Sequence, residues 1–380
     1  MFALSLMLLM AAGIPPPTGR YTVGRQTLVF TDPSRPEALT KDPGAKREFS
    51  AHVWYPCMPG SGLIQELMPD LAKWREALGE DLVQSALDGA LAAVEKTRPR
   101  VRVGGTPLNG RYPLVVFFPA LGANTLSYTS LLSELASFGY MVIALDPPYE
   151  VFAVTLRDNR IVGFHSPGWS QPPRENILRY EEERIKVWAA DARFALNEIQ
   201  KEGRPRSVDW QRIGTFGHSA GALAAIEFCR TDPRVRLCLN LDGLPGKPPF
   251  PAEPGSTFEK PLGMIHGPLP DDPRQHQAAV QAFQSVKEGS LEITIGTPGI
   301  HHRSYLDFSL LKEHTGAAEA MSLIRTYVVA FFDKMLRHKM GTILDRETPP
   351  EVHVENYSFQ SPVREPSANS APRRSPEPVR

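Results

Sequence analysis

Apolar residues recur along the chain in two periods, and their order predicts the fold. Residues 21–31 and 49–55 alternate in character and favour two strands, which we expect to pair antiparallel at the start of a sheet. Residues 32–46 between them are rich in Pro, Asp, Gly and Lys and indicate an exposed loop. Residues 63–95 then place Leu, Ile, Trp and Ala at helical spacing, which predicts a helical insertion before the main sheet.

From residue 112 onward, short apolar strands alternate with helices. Strands are expected at 114–118, 141–145, 213–217, 235–241, 262–266 and 291–295, and helices at 128–137, 181–201, 220–230, 275–286 and 319–338. This alternation is typical of a mostly parallel central sheet with helices on both faces. We therefore predict one α/β domain over residues 18–340.

The two ends of the chain differ from this domain. Residues 1–17 contain a short Leu- and Met-rich run that resembles a signal or leader segment but lacks a positively charged start, so the sequence leaves secreted and cytoplasmic locations open. Residues 341–380 lose the periodicity and end in a Pro-, Arg- and Ser-rich stretch. Such a composition predicts a mostly disordered tail.

Charge and cysteine content narrow the classes of function. Lys+Arg and Asp+Glu are equal at 42 each, so no strong field favours nucleic acid, and a small or neutral substrate is expected. The three cysteines form neither a disulfide framework nor a zinc pattern, and no phosphate-binding loop is present. The sequence therefore predicts neither a metal nor a cofactor, and it leaves the oligomeric state open.

Gly217-His218-Ser219-Ala220-Gly221 carries the clearest chemical signal, because it fits G-x-S-x-G. An apolar strand precedes it and a helix rich in small residues follows. This context predicts the sharp turn that raises a nucleophilic serine above the end of a parallel sheet in α/β-hydrolases. Ser219 is therefore the candidate nucleophile.

A serine nucleophile needs an imidazole base, and the base needs a carboxylate that orients it. On this fold the order is Ser, acid, His. His301 and His302 follow the last predicted strand, and either can be the base. Asp242 follows the strand after the nucleophile helix, whereas Asp271 and Asp272 follow the next strand. Position alone does not decide among these residues.

An oxyanion hole must also stabilise the charge that develops on the substrate carbonyl. We expect one donor to be the N–H of Ala220 and the other to come from the loop 119–123, where Gly122 allows a close approach of backbone to substrate. Pro119 has no N–H and cannot donate.

Taken together, several segments resemble the platelet-activating factor acetylhydrolase family, especially fungal members, from about residue 18 to 336. The resemblance rests on residues 17–24, 53–56, 112–117, 121–123, 146–149, 217–219, 240–243 and 302–308. It implies an α/β-hydrolase fold, a triad of Ser219, Asp242 and His302, and oxyanion donors at Leu121 and Ala220. Two departures bear on substrate: Pro119-Ala120 replaces the family's His-Gly, and Ala220 replaces a larger residue.

The leading functional hypothesis is a serine carboxylic-ester hydrolase that acts on a hydrophobic or short-acyl phospholipid ester. One alternative is a tailoring hydrolase or acyltransferase in fungal secondary metabolism, and another is a non-catalytic, hydrolase-like binding scaffold. The first part of the helical insertion, with Leu67 and Leu71, is expected either to cap the pocket or to contact a lipid surface.

Overall fold

A mixed sheet of eleven strands runs through the part of the chain that is described. The computed structural model describes residues 13–359 apart from 171, 204–206, 244–256 and 269–272. The strands are β1 (Thr22–Pro36), β2 (Lys46–Cys57), β3 (Leu63–Ile64), β4 (Val101–Val103), β5 (Tyr112–Phe118), β6 (Met141–Asp146), β7 (Ala153–Thr155), β8 (Ile161–Gly163), β9 (Val208–His218), β10 (Val235–Leu241), β11 (Leu262–His266), β12 (Ser290–Ile295) and β13 (Val352–Tyr357).

Nine α-helices of the described residues accompany the strands. They are α1 (Leu71–Leu78), α2 (Glu80–Ala86), α3 (Leu91–Lys96), α4 (Thr129–Ser137), α5 (Arg174–Glu202), α6 (Ala220–Thr231), α7 (Pro273–Gln284), α8 (Asp307–Leu311) and α9 (Ala317–Met335). None of them is long and apolar enough to span a bilayer.

The sheet order is β13-β12-β11-β10-β9-β5-β6-β2-β1-β4-β3, and β7 pairs with β8 in a separate ribbon. Strands β12, β11, β10, β9, β5 and β6 run parallel to one another, while β1 and β2 pair antiparallel as predicted. In the β9–β10 pair, His218 lies opposite Leu241. The residues that follow these two strands therefore emerge side by side at one edge of the sheet.

Side chains of β5 alternate between two apolar cores. Leu114 and Val116 lie in a core with α5 and α6, whereas Val115 and Phe117 lie in a core with α4, α9 and the helical insertion. Because successive strand residues point to opposite faces, this division means that helices cover both faces of the sheet. The predicted fold class, a mostly parallel α/β-hydrolase sheet, is confirmed.

The segment between the first two strands differs from its prediction as an exposed loop over 32–46. β1 extends to Pro36 and β2 starts at Lys46, so the connection is shorter. Charged side chains at the two ends of the segment are buried and paired: Asp32 lies 2.6 Å from Arg35, and Arg47 bonds Glu37 and Asp191 at 2.7 and 2.6 Å. Lys41 and Asp42 in its middle are exposed, as predicted. Ion pairing lets charged side chains occupy buried positions that composition alone assigns to solvent.

The helical insertion is present as α1–α3, with one local difference. Leu63 and Ile64 form the short strand β3 and are 68% and 47% exposed, although they fitted the helical pattern. Leu67 and Leu71 are buried in the core shared with α4 and α9, so they pack onto the domain rather than present an apolar face to solvent.

The chain ends are described only in part. Residues 1–12 of the leader segment and residues 360–380 of the tail lie outside the described residues. Beyond residue 340, where the sequence periodicity fades, β13 pairs antiparallel with β12 and continues the sheet. It is an edge strand with three of its six residues exposed and one buried, and this explains why its sequence shows little hydrophobic pattern.

Candidate active site

The turn between β9 and α6 consists of Ser219 alone, since β9 ends at His218 and α6 begins at Ala220. Ser219 has φ 58° and ψ −124°, a conformation that non-glycine residues rarely adopt. A Cβ at Gly217 would lie 2.1 Å from the Gly221 oxygen. A Cβ at Gly221 would lie 2.3 Å from the oxygens of Phe118 and Pro119. Both glycines are therefore required sterically, and Ser219 is presented above the sheet edge.

Asp242 and His302 meet beside this turn. The Ser219 N–H donates to the Leu241 oxygen at 3.0 Å, which fixes the turn against the residue before Asp242. His302 Nδ1 lies 2.5 Å from Asp242 Oδ2. The His302 side chain is 50% exposed and that of Asp242 is 23% exposed, so the pair is open to a substrate.

Among the described residues, the alternative base does not show this contact. His301 caps the short 3₁₀ turn 302–305: its Nδ1 accepts from the Arg303 N–H at 3.1 Å, and its own N–H donates to Ser304 Oγ at 3.0 Å. Among the two adjacent histidines, His302 is the one that contacts a carboxylate. Asp271 and Asp272, the alternative acids, lie outside the described residues.

The predicted oxyanion loop lies against the nucleophile turn. The close approach of Gly221 to the Phe118 and Pro119 carbonyls brings the end of β5 to the start of α6. Gly122 has φ +78°, and its N–H donates to the Glu150 oxygen at 2.8 Å. Neither the Leu121 N–H nor the Ala220 N–H donates to an acceptor among the described residues. These two donors thus remain available to an incoming oxygen.

His218 is a site residue that the sequence reasoning missed. It is 1% exposed, its ring stacks on Tyr305 at 4.9 Å between centroids, and it lies 4.6 Å from the His302 ring. Burial, followed by the neighbouring His302, lowers the pKa of His218 well below its usual value, so the ring is neutral. The G-x-S-x-G pattern leaves this position free and carries no signal for it.

Tyr128 connects His218 with the oxyanion loop. Its hydroxyl accepts from the Ala120 N–H at 3.0 Å and lies 2.9 Å from His218 Nδ1. A phenol has one proton, so bonding both partners fully requires that Tyr128 donates to His218 Nδ1. The His218 proton then resides on Nε2, which has no partner among the described residues. One buried hydroxyl therefore holds two parts of the site.

Buried hydrogen bonds anchor the 3₁₀ turn 302–305 to the elements beneath it in the core. The Tyr305 hydroxyl donates to the Ile265 oxygen at 3.0 Å, and the Ser130 N–H donates to Asp307 at 3.1 Å. Burial raises the pKa of Asp307 to about 7, with the bonds from Ser130 acting in the opposite direction. These contacts tie the His302 turn to β11 and α4.

One group of residues has the composition of a metal site. Donor atoms of His218, Asp242 and His302 lie within 4.8 Å of one another. Two imidazoles and a carboxylate suit a transition-metal ion. The short contact between Asp242 and His302 is also the geometry of an oriented acid–base pair, which needs no ion.

Comparisons with known proteins show distant homology to ester hydrolases. No family model matches the chain. A "probable 1-alkyl-2-acetylglycerophosphocholine esterase" of Arthroderma benhamiae is 26% identical over 245 residues, covering 60% of this chain and 58% of that protein, less than two thirds of its length. The platelet-activating factor acetylhydrolase of Cavia porcellus is 25% identical over 356 residues, covering 85% of this chain and 78% of that protein.

A solved structure extends the comparison to three dimensions. A ferulic acid esterase from Streptomyces cinnamoneus is similar with a TM-score of 0.74 and 26% identity, covering 90% of this chain and 99% of that one. Both the fold and the distant relationship to ester hydrolases are therefore established.

Proposed function

We propose, starting from the distant homology of this chain to the platelet-activating factor acetylhydrolases, that it is a serine carboxylic-ester hydrolase with the triad Ser219, Asp242 and His302. The observation that carries the proposal is the 2.5 Å contact between Asp242 Oδ2 and His302 Nδ1 beside the strained Ser219 turn. A carboxylate that occupies Nδ1 leaves Nε2 as the nitrogen that can accept a proton.

In the proposed reaction, His302 Nε2 takes the Ser219 hydroxyl proton while Oγ attacks the acyl carbon. The N–H groups of Leu121 and Ala220 stabilise the oxyanion that forms. When the ester C–O bond breaks, His302 returns the proton to the leaving alcohol and an acyl-enzyme remains. Water then attacks the acyl carbon by the same route and releases the carboxylic acid.

The proposed substrate is a short-acyl phospholipid or another hydrophobic ester. The names of the fungal and guinea pig relatives support the first class. The similar solved structure is a ferulic acid esterase, which favours an ester of an aromatic acid as a second candidate. The small Ala220 leaves more room at the acyl side than a larger residue would.

Covalent labelling of the full chain with a fluorophosphonate tests the nucleophile. We expect one label per chain on wild-type protein and on Ser322→Ala, which changes an exposed serine of α9, and none on Ser219→Ala. Native protein that takes up no label, or a Ser219→Ala variant that still does, would refute the hydrolase mechanism and favour a binding scaffold.

A substrate panel then separates the ester classes. Purified wild-type protein is offered a 2-acetyl phospholipid, a methyl ferulate and a polyketide-type ester at equal concentration, and kcat/KM is compared. Preference for the phospholipid supports the first candidate, and preference for ferulate supports the second. A higher rate with an added alcohol acceptor than with water would identify an acyltransferase.

A further inference from the structure

Four arginine side chains are buried among the described residues, and three of them face a carboxylate. Arg47 bonds Glu37 and Asp191, Arg184 bonds Glu150 at 2.7 Å, and Arg325 bonds Glu134. Arg25, in β1, is as deeply buried at 3% exposure but forms no ion pair with a described carboxylate. It is therefore the exception within its own protein.

The Arg25 guanidinium is almost unpartnered. Its contact with a described acceptor is a single long bond from Nη1 to the Leu67 oxygen, at 3.4 Å. A guanidinium carries five N–H donors, so most of its hydrogen-bonding capacity is unused by those residues. Burial lowers the pKa of Arg25 to about 10, so the group is still charged at neutral pH. A buried, unpaired charge is costly and calls for a counter-charge.

A cavity of about 150 Å³ lies where that counter-charge is needed. Water needs only about 10–15 Å³ of such space, so this cavity holds several waters or a small organic ion. It opens to solvent beside the exposed residues Thr27 and Pro69. Its wall is polar at Arg25, Thr27, Ser50, His52 and Gln65 and apolar at Trp74, Val103, Leu126, Ala153 and Val154.

The other charged groups of the cavity limit the ligand to a single negative charge. Burial, followed by the positive charge of Arg25, lowers the pKa of His52 to about 3, so this ring is neutral. Asp70 is paired with Lys73 at 2.9 Å. Asp146 accepts two bonds from Thr125, at 2.7 and 2.9 Å, and its Oδ2 lies 3.5 Å from His52 Nε2. Burial raises the pKa of Asp146 to about 7, so it adds a partial negative charge to the wall near neutral pH. Arg25 is thus the one cation among the described residues of the wall, and the Asp146 carboxyl group disfavours a second negative charge on the ligand. The apolar wall favours a ligand with a short hydrocarbon part.

We propose that this cavity, at Arg25 under the helical insertion, binds a small monocarboxylate such as acetate or butyrate. The guanidinium fork matches the two oxygens of a carboxylate, and the apolar wall accommodates its chain. A phosphate dianion fits less well, because it brings a second charge into a site with one cation and a carboxylate on its wall. The site lies at β1 and β2, away from the Ser219 turn on β9, and does not depend on the hydrolase proposal.

Equilibrium unfolding of the full chain tests the site. Sodium acetate and sodium butyrate are titrated against sodium chloride at constant ionic strength and pH 7.5. A ligand that binds the folded state lowers the unfolding constant by the factor 1 + [L]/Kd, which is tenfold at nine times Kd. We expect a saturable decrease with butyrate and acetate, and a weaker one with inorganic phosphate.

The matched variants are Arg25→Met and Arg20→Met, because Arg20 is an exposed arginine near the same strand. Arg25→Met is expected to fold, to keep fluorophosphonate labelling at Ser219 and to lose the carboxylate effect, while Arg20→Met keeps it. Should Arg25→Met fail to fold, Arg25→Lys serves instead and is expected to bind at least several-fold more weakly. A carboxylate effect that persists in a folded Arg25 variant, or no effect on wild type, would overturn the proposal.

Discussion

Tyr128→Phe tests whether the active site is held together by one buried hydroxyl. The change removes the hydroxyl that accepts from the Ala120 N–H at 3.0 Å and that lies 2.9 Å from His218 Nδ1. Tyr128 and His218 are each at most 1% exposed, so water does not replace these bonds. Leaving a buried polar group unsatisfied costs about 1–3 kcal/mol. Two such groups give an expected loss of about 2–6 kcal/mol in the free energy of unfolding.

The effect on the reaction follows from where the two bonds lie. Ala120 precedes the proposed donor Leu121, so a looser Ala120 misplaces the oxyanion hole without deleting it. Removal of one oxyanion donor costs about 10²–10³ in kcat, and we therefore expect Tyr128→Phe to lose about tenfold or more. Because the oxyanion forms in the transition state and the tetrahedral intermediate but is absent from the bound ester, KM should change little.

The assay measures kcat and KM on a short p-nitrophenyl ester and the second-order rate of fluorophosphonate labelling, well below the midpoint of unfolding. Tyr140→Phe is the matched control: its hydroxyl is also buried and donates at 2.7 Å to Asp333, which lies in α9. A merely structural role for Tyr128 would lower the stability of both variants and the kcat of neither. Such a result, with kcat within about twofold of wild type, would refute the positioning role.

Three further predictions concern the triad, the turn and the pH dependence. Asp242→Asn should slow labelling by about 10³–10⁴ because His302 loses its orienting carboxylate; a loss below tenfold would point to another acid. Gly221→Ala should lower the melting temperature and abolish labelling, since its Cβ would lie 2.3 Å from backbone oxygens, whereas Gly44→Ala, whose nearest atom is 3.3 Å away, should do neither. Burial raises the pKa of Asp146 to about 7, so its folded-state proton stabilises the protein fully below about pH 4 and this contribution is lost as the pH rises towards 7. Between pH 4.5 and 6.5, the free energy of unfolding of Asp146→Asn, measured with urea, should therefore rise relative to that of wild type by up to about 1.4 kcal/mol per pH unit. Equal pH dependence of the two free energies would contradict the shift.

Much of the fold could be predicted because its central strands are buried on both faces. Runs such as Leu114–Phe118 are apolar without alternation, and this pattern survives whatever packs against it. The edges are different. β13 has one largely exposed surface, and Leu63 and Ile64 fit a helix although they form an exposed strand. Edge strands depend on a neighbour that the local sequence does not contain.

Some residues of the candidate site could also be predicted from the sequence, and others could not. The Ser219 turn was predictable because steric demands fix its glycines in a contiguous motif. The choice between His301 and His302 was open, because adjacent residues differ only in the direction that the 3₁₀ turn gives them. The buried partners Tyr128 and His218 could not be found, since they meet across 90 residues of chain. A contact between residues so far apart in the chain produces no recognisable pattern in the local sequence.

The arrangement around His302 combines two properties that usually oppose each other. Its side chain is half exposed, as a base that must reach a substrate requires, and a half-exposed residue on a short turn is ordinarily mobile. Here the turn is anchored by the Tyr305 bond to Ile265, by the bond between Asp307 and Ser130, and by the His218 ring against His302 itself. These anchors are buried and act on the backbone or on one ring face, and they leave half of the His302 side chain exposed. The proposed base is thus preorganised before substrate arrives, which reduces the ordering entropy that the proposed reaction must overcome.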